Sequence, residues 1–293
     1  MIDKRRLRVT HVTVYRYANP VSFGEHRMMF RPRDSHDLRL IEATLTISPP
    51  AAIRWLHDVF GNSVAIAAFG ERATELRFES DILLEHFETD APDYPIAEHA
   101  RLYPFSYDSG EIPDLSRLIE RAYPDPEHAV DRWAKGFLSR TGPTETWSLL
   151  TEMTRSVRRD FSYVVRDAEG VQTPAYTLNA KTGTCRDFAL LMMEAVRSLG
   201  MAARFVSGYL YQSNTGGERN TAGCTTHAWT QVYLPGAGWT EFDPTNGIVG
   251  NRDLIRVAVA RDPSQAVPLS GSFSGAQSDF LGISVDVAVT AES

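Results

Sequence analysis

The first part of the chain consists of short apolar runs that are separated by turn residues. Runs rich in β-branched and aromatic residues cover positions 9–17, 38–47, 55–69 and 75–87. Asn-Pro at 19–20 and Pro-Pro at 49–50 are turn signals between them. Short strands at such regular spacing are typical of an antiparallel β-sandwich or an open barrel. We therefore predict an N-terminal β domain over residues 1–95.

The pattern changes from strand to helix in the middle of the chain. Scattered prolines predict an extended connector over residues 96–125. Positions 127–138 and the stretch that begins at Thr144 carry apolar residues on one helical face. A further helix is predicted after Cys185 and before Gly200, where apolar residues recur at steps of three and four: Phe188, Leu191, Met192, Ala195 and Leu199.

Strand patterns return after Gly200. Apolar runs of strand length cover residues 203–210, 227–234 and 239–242. Two more runs, at 254–259 and 283–289, follow near the C-terminus. We predict that residues 126–293 form a second unit of helices and strands, with the C-terminal strands included in it.

Composition and charge narrow the classes of function. The chain has 293 residues and a net charge of −7, so it presents no basic field for nucleic acid or an anionic membrane. No apolar run approaches the ~18 residues of a membrane span, and no apolar stretch follows the charged N-terminus as in a secretory signal. Two cysteines, Cys185 and Cys224, suit a reducing compartment. We expect a cytoplasmic protein without nucleic-acid or membrane partners.

Cys185 lies in the segment TGTCRDFA, residues 182–189, where a glycine turn leads into the predicted helix. A thiol at a helix N-terminus faces unpaired backbone N–H groups and the positive end of the helix dipole, and both favour the thiolate. The alternative is a small buried hydrophobic residue, a common role of intracellular cysteines. This segment alone does not decide between the two.

His227 and Asp243 suggest a chemical role for Cys185. His227 opens one predicted strand, and Asp243 ends the next one and enters a turn. Taken alone, each has an ordinary structural explanation. If the two strands are hairpin neighbours, the imidazole and the carboxylate lie side by side, and the cysteine helix can pack across them. Nucleophile, base and orienting carboxylate together activate a thiol for acyl transfer.

Four motifs resemble the bacterial transglutaminase-like family. They are GTCRDFA (183–189), ARFVSGY (203–209), HAW (227–229) and GWTEFDPT (238–245). The segments HVTVYRY (11–17), RPR (31–33) and FGN (60–62) are similar to the N-terminal β region of that family. VAVARD (257–262) resembles its C-terminal segment, with Ala260 where the family usually has glycine. The resemblance covers nearly the whole chain.

The resemblance implies an α+β fold, in which a papain-like transglutaminase core follows an N-terminal β-sandwich or barrel. In that core a nucleophile helix packs on an antiparallel sheet. It implies Cys185 as the nucleophile, His227 as the base and Asp243 as the orienting acid. It also implies a cysteine hydrolase (peptidase or amidase) or an acyltransferase, which attacks amide bonds of a peptide or protein substrate through a thioester. Water or an amine resolves that thioester, and the motifs leave the choice open.

Further residues are expected around the nucleophile. The backbone N–H of Cys185 is one expected oxyanion donor. Three side chains are candidates for the second donor: Tyr163, Asn179 and Trp147. Trp229 and Trp239 are expected to line the substrate cleft, although core positions would suit both equally.

Two alternatives of other classes remain open. Cys224 and His227 have ligand-like spacing, and Cys185 with Asp243 could complete a tetrahedral zinc site. A catalytically silent binding module with the same fold is the second alternative. No glycine-rich phosphate loop is present, so no cofactor is implied. The sequence leaves open the substrate, the role of Cys224 and the oligomeric state.

Overall fold

The computed structural model describes residues 3–88, 95–166, 170–211 and 226–292. The α-helices in these residues are α1 (Ile112–Ile119), α2 (Ala129–Lys135), α3 (Thr146–Asp160), α4 (Pro174–Ala180) and α5 (Cys185–Ser198). None of them combines the length and the apolar character that crossing a bilayer requires. The predicted helix after Cys185 corresponds to α5, and Gly200, with φ of 80°, lies just beyond its end.

The strands are numbered in chain order. Those before α1 are β1 (Asp3–Phe23), β2 (His26–Met28), β3 (Leu38–Ser48), β4 (Ala51–His57), β5 (Ser63–Phe69), β6 (Ala73–Glu88) and β7 (Leu102–Tyr103). Those after it are β8 (Thr144–Glu145), β9 (Ser162–Tyr163), β10 (Thr182–Gly183), β11 (Ala203–Leu210), β12 (His227–Leu234), β13 (Gly238–Asp243), β14 (Ile248–Val249), β15 (Leu254–Ala260), β16 (Leu269–Ser270), β17 (Phe273–Ser274) and β18 (Phe280–Ala291).

The N-terminal region forms two antiparallel sheets. In the first sheet β6 lies between β1 and β3, and in the second the order is β16-β2-β5-β4. Apolar side chains from both sheets form one buried cluster: Tyr17, Val21, Phe23, Met28, Ala65, Ala67, Leu76 and Phe78. The predicted N-terminal β-sandwich is confirmed.

The C-terminal strands pair with this N-terminal region. β18 runs antiparallel to β1 from Leu7↔Ala291 to Tyr17↔Phe280, β17 pairs with the end of β1, and β16 pairs with β2. The sequence predicts these strands in the unit of residues 126–293, whereas their hydrogen bonds join them to the N-terminal sheets. Without β18, the long edge of β1 would present unpaired N–H and C=O groups. Local patterning predicts a strand but does not identify its partner.

The second unit is built on a five-stranded antiparallel sheet with the order β14-β13-β12-β11-β15. One face of this sheet packs against α5, whose side chains share a core cluster with Ala203, Phe205, Ala228 and Val232. The neighbouring ends of β11 and β15 meet the N-terminal sheet, where Leu7 and Leu84 pack with Tyr209 and Ile255. The predicted α+β class is therefore confirmed.

Helix α5 is buried on nearly all sides, although it carries an ion pair. Glu194 and Arg197 are both fully buried, and Arg197 Nη1 donates to Glu194 Oε1 at 3.1 Å. The other N–H groups of Arg197 donate to the carbonyls of Leu118, Ala203 and Arg261. Backbone N–H groups of residues 122 and 123 donate to Glu194. Each buried charge thus has partners, which is the condition under which such a pair is tolerated.

Replacing one member of this pair is expected to destabilise the fold. Arg197→Met removes the hydrogen-bonded cation of the buried Glu194 carboxylate and leaves it only the longer 3.5 Å contact with Arg121, so the free energy of unfolding should fall by about 3 kcal/mol in urea titrations. Arg117→Met is the matched control, because the Arg117–Glu120 pair is largely exposed and contributes at most about 1 kcal/mol. Equal losses in both variants would contradict the prediction.

Candidate active site

The first turn of α5 is fixed by the carboxylate of Asp187. Asp187 is fully buried, and its Oδ2 accepts from the backbone N and the Oγ1 of Thr184, both at 2.9 Å. Its Oδ1 accepts from the backbone N of Gln172 at 2.6 Å and from Arg166 at 3.0 Å. Thr184 is the N-cap residue of the helix. The side chain of Asp187 therefore ties the start of α5 to the segment before it.

Gly183 allows the turn to approach this helix closely. A Cβ atom at Gly183 would lie 2.9 Å from the Cβ of Asp187 and 3.1 Å from the ring of Phe188. Any larger residue would push the turn away from the helix. Cys185 is consequently held as the first residue of α5, where it is 7% exposed. This is the end of the helix at which backbone N–H groups are free and the helix dipole is positive.

His227 and Asp243 lie on neighbouring strands, which is the condition that the sequence analysis sets for their contact. β12 and β13 pair antiparallel, with Thr230 opposite Phe242. His227 Nε2 is 2.8 Å from Asp243 Oδ2, and Asp243 is fully buried. This bond occupies Nε2, and the Cys185 side chain lies near enough to the imidazole to contribute to raising the pKa of His227. Cys185, His227 and Asp243 are therefore neighbours, and we refer to them below as the row.

The charge of the row follows from its surroundings. Burial lowers the pKa of His227, but the Asp243 carboxylate, their hydrogen bond and the Cys185 side chain outweigh burial and raise the pKa to about 10. Burial raises the pKa of Asp243, but His227 and the hydrogen bonds to the carboxylate hold it below its usual value. At neutral pH the row therefore contains an imidazolium and a carboxylate.

Asn246 belongs to the site, although the sequence analysis does not single it out. Its Nδ2 donates to Asp243 Oδ2 at 2.7 Å and lies 3.3 Å from His227 Nε2. The backbone N–H groups of Thr245 and Asn246 donate to Asp243 Oδ1 at 2.9 and 3.3 Å. The only signal in the sequence is the turn motif Asp-Pro-Thr-Asn, which indicates a bend but not an Asn side chain that folds back.

Tyr163, one of the three candidate oxyanion donors, lies beside the turn that precedes the nucleophile. β9 and β10 pair in parallel with Tyr163 opposite Gly183, and the N–H of Val164 donates to the carbonyl of Gly183 at 3.0 Å. The Tyr163 side chain therefore lies near Cys185. Burial and then the charge of Cys185 raise the pKa of Tyr163, so the phenol stays protonated at neutral pH.

The two other donor candidates lie on helices α3 and α4. Asn179 is an exposed residue near the end of α4. Trp147 is in the first turn of α3, with its ring centroid 5.8 Å from that of Phe242.

The two tryptophans expected at the cleft occupy different environments. Trp229 is fully buried and stacks near the His227 ring, with centroids 5.9 Å apart and an interplanar angle of 27°. Trp239 lies four residues before Asp243 on β13, about 13 Å along the strand. Its ring is covered by the Arg204 guanidinium at 4.1 Å. Trp229 therefore packs against the imidazole ring of His227, whereas Trp239 packs against Arg204.

The zinc alternative depends on Cys224, which lies outside the described residues. Among the residues that the structure describes, no group of three or more His, Cys, Asp or Glu side chains could hold a metal ion. His227 Nε2 is already bonded to Asp243. The whole segment of residues 212–225 lies outside the described ranges.

Two family models match the chain. A model of the bacterial transglutaminase-like N-terminal region matches residues 7–85. A model of the transglutaminase-like superfamily matches residues 132–244, a range that contains Cys185, His227 and Asp243.

One related protein matches most of the chain, and another matches about a third of it. An uncharacterised protein of Mycobacterium tuberculosis is 29% identical over 296 residues, covering 96% of this chain and 92% of its own length. A protein-glutamine gamma-glutamyltransferase of Pseudomonas aeruginosa is 31% identical over 103 residues, which is 31% of this chain and 14% of that protein.

One solved structure shares the fold over nearly the whole length. A crystal structure of a candidate cysteine protease from Cytophaga hutchinsonii has a TM-score of 0.72, covers 99% of this chain and 91% of its own, and is 17% identical. The fold is thus transglutaminase-like, and both regions of the chain match family models. The chain therefore belongs to the bacterial transglutaminase-like family, with a strand-rich N-terminal region followed by a transglutaminase-like core.

Proposed function

We propose that the protein is a cysteine-dependent acyl-transfer enzyme that acts on amide bonds of peptide or protein substrates. The observation that carries the proposal is the row formed by Cys185, His227 and Asp243. A silent scaffold would not need a buried imidazolium beside a cysteine at a helix N-terminus, because burying such charges costs free energy unless they are paired. The thiolate–imidazolium arrangement is the activated form of a nucleophilic cysteine.

In the first half-reaction the Cys185 sulfur attacks the amide carbonyl. The carbonyl π electrons move to oxygen, and the backbone N–H of Cys185 and the hydroxyl of Tyr163 donate to the resulting oxyanion. The C–N bond then breaks as the His227 imidazolium gives its proton to the departing nitrogen. The products of this step are a thioester on Cys185 and a free amine.

In the second half-reaction the neutral imidazole of His227 removes a proton from the incoming nucleophile. Water yields a carboxylic acid and makes the enzyme a peptidase or amidase, whereas a primary amine yields a new amide and makes it a transglutaminase. The C–S bond breaks, and the proton held by His227 restores the imidazolium beside the thiolate. Asp243 keeps the ring oriented through both halves.

Replacing the nucleophile tests the proposal. A protein acyl donor such as casein is incubated with and without a fluorescent primary amine, and release of peptides, release of ammonia and amine incorporation are followed together. Wild-type protein should show one of these activities, and Cys185→Ala should abolish it. Cys224→Ser is the matched control, and it should keep the activity within about twofold.

Thiol labelling makes the same test independent of the substrate. Intact-mass analysis with iodoacetamide should show that Cys185 reacts first, and His227→Gln should slow this labelling by about 10²-fold or more. Equal, slow labelling of both cysteines, with no activity on any donor, would refute the proposal.

Asp243 should control the pH dependence of the reaction. Because the carboxylate holds the pKa of His227 near 10, the imidazolium is present at neutral pH and is lost only as the pH rises through that value. In Asp243→Asn burial dominates, so the alkaline limb of kcat/KM should move towards neutral pH. At pH 7 kcat should fall by about 10²–10⁴-fold.

Asp253→Asn is the matched control for this variant. Asp253 forms an ion pair with Arg5 at 2.8 Å, outside the row, and its substitution should leave the pH profile unchanged. An unchanged alkaline limb in Asp243→Asn would show that Asp243 does not set the charge of His227.

Tyr163→Phe should separate stabilisation of the oxyanion from activation of the thiol. Removal of one oxyanion donor should lower kcat by about 10²–10³-fold with little change in KM. Labelling by iodoacetamide forms no oxyanion, so its rate should stay within about twofold. Tyr176→Phe, at a 59% exposed position on neighbouring α4, is the control. Equal losses in kcat and in labelling would instead assign Tyr163 to the thiol itself.

A further inference from the structure

The N-terminal sandwich is open along one side. β3 and β4 are consecutive strands joined by residues 49 and 50, yet they belong to different sheets. β3 pairs only with β6, and β4 pairs only with β5, among the strands that the structure describes. Each strand therefore has one edge without a ladder partner, although on β3 the N–H groups of Leu38 and Leu40 are bonded to Ser35 and Asp34. The remaining edges of β3 and β4 lie on either side of an opening. We call this opening the β3–β4 seam.

The seam exposes the apolar interior of the sandwich. It holds a cavity of about 480 Å³ whose lining includes Ala43 and Leu45 of β3 and Ile53 and Trp55 of β4. Trp55 is opposite Ala65 and Ile53 is opposite Ala67 on β5, and both alanines are buried in the sandwich core.

The exposure of these side chains is unusual for an inner face. Trp55 and Ile53 share the face of Ala65 and Ala67, yet they are 51% and 39% exposed. A core-facing stretch that remains accessible on an edge strand marks a place where another chain packs.

The basic side chains that line the seam favour binding of an anionic group. Arg31 and His57 line the cavity, and no Asp or Glu does, although the chain as a whole has a net charge of −7. Arg31 is half-buried and has neither a hydrogen bond nor an ion pair with any residue in the described ranges. A guanidinium in such a position is suited to a carboxylate from outside the chain.

We propose that the β3–β4 seam binds an extended segment of a partner protein in which apolar side chains flank a carboxylate side chain. The backbone of that segment adds as a strand to the free edge of β3 or β4, which supplies main-chain hydrogen bonds. Its apolar side chains cover Trp55 and Leu45, and its carboxylate pairs with Arg31. A strand fits better than a compact ligand because only a strand can satisfy a row of unpaired N–H and C=O groups.

Synthetic peptides test this proposal without any turnover. Acetyl-Thr-Val-Thr-Glu-Thr-Val-Thr-amide presents two valines and one glutamate on the same face of a strand. Titration should change tryptophan fluorescence, and the change should be lost in Trp55→Phe. The same titration with Cys185→Ala gives a readout that does not depend on the proposed chemistry. Peptides with Glu replaced by Lys, or with both Val replaced by Ser, should bind at least about tenfold more weakly.

Two arginine variants identify the charged contact. Arg31→Gln should weaken binding of the glutamate peptide by about tenfold or more. Arg54→Gln is the matched control on β4, since Arg54 faces the other side of the strand, near Glu25 at 3.7 Å, and it should leave the affinity unchanged.

Three results would overturn the proposal. They are no binding up to about 1 mM, equal binding of the glutamate and lysine peptides, and self-association of the protein that Trp55→Ala abolishes. The last result would assign the seam to a second copy of this chain.

Discussion

The position of Cys185 depends on the buried carboxylate of Asp187. Four hydrogen-bond donors converge on it from three segments, namely Arg166, Gln172 and the turn residue Thr184. These bonds fix the direction in which α5 starts, and the apolar packing of α5 against the sheet fixes where it lies. A thiol at the first residue of that helix gains from the dipole only if the first turn is held in this way, because the effect fades within one turn.

The charge of the site is set at the opposite end of the row, in the turn after β13. Burial alone would leave both His227 and Asp243 neutral. Backbone N–H groups of residues 245 and 246 and the side chain of Asn246 all donate to Asp243, so the carboxylate stays ionised in a fully buried place. That carboxylate in turn holds the proton on His227. The ionised state beside the cysteine thus originates in the geometry of a short turn.

Regular elements of this chain were predictable, and their partners were not. The apolar face of α5 and the strands β11 to β13 follow from local periodicity, and the motifs around Cys185, His227 and Asp243 indicated the family. The pairing of β18 with β1 depends on a strand edge more than 260 residues away along the chain. Tyr163 reaches the site through a two-residue parallel pairing, and Asn246 through a turn that folds back. Neither leaves a periodic signal, because each depends on contacts made only after folding.

The N-terminal region contributes to the support of the catalytic sheet. Arg256 on β15 donates to Glu241 at 2.7 Å and to Asp37 of the N-terminal region at 3.2 Å. Glu241 precedes Asp243 by two residues on β13, so both side chains lie on the same face of the strand. The apolar contact of Leu84 with Ile255 also joins β15 to the N-terminal sheet. A core expressed without the N-terminal region would expose that contact and leave Arg256 without one of its carboxylates. Through Arg256 and Glu241, the strand that carries Asp243 is therefore linked to the region that also contains the β3–β4 seam, which is a physical reason for joining the two regions in one chain.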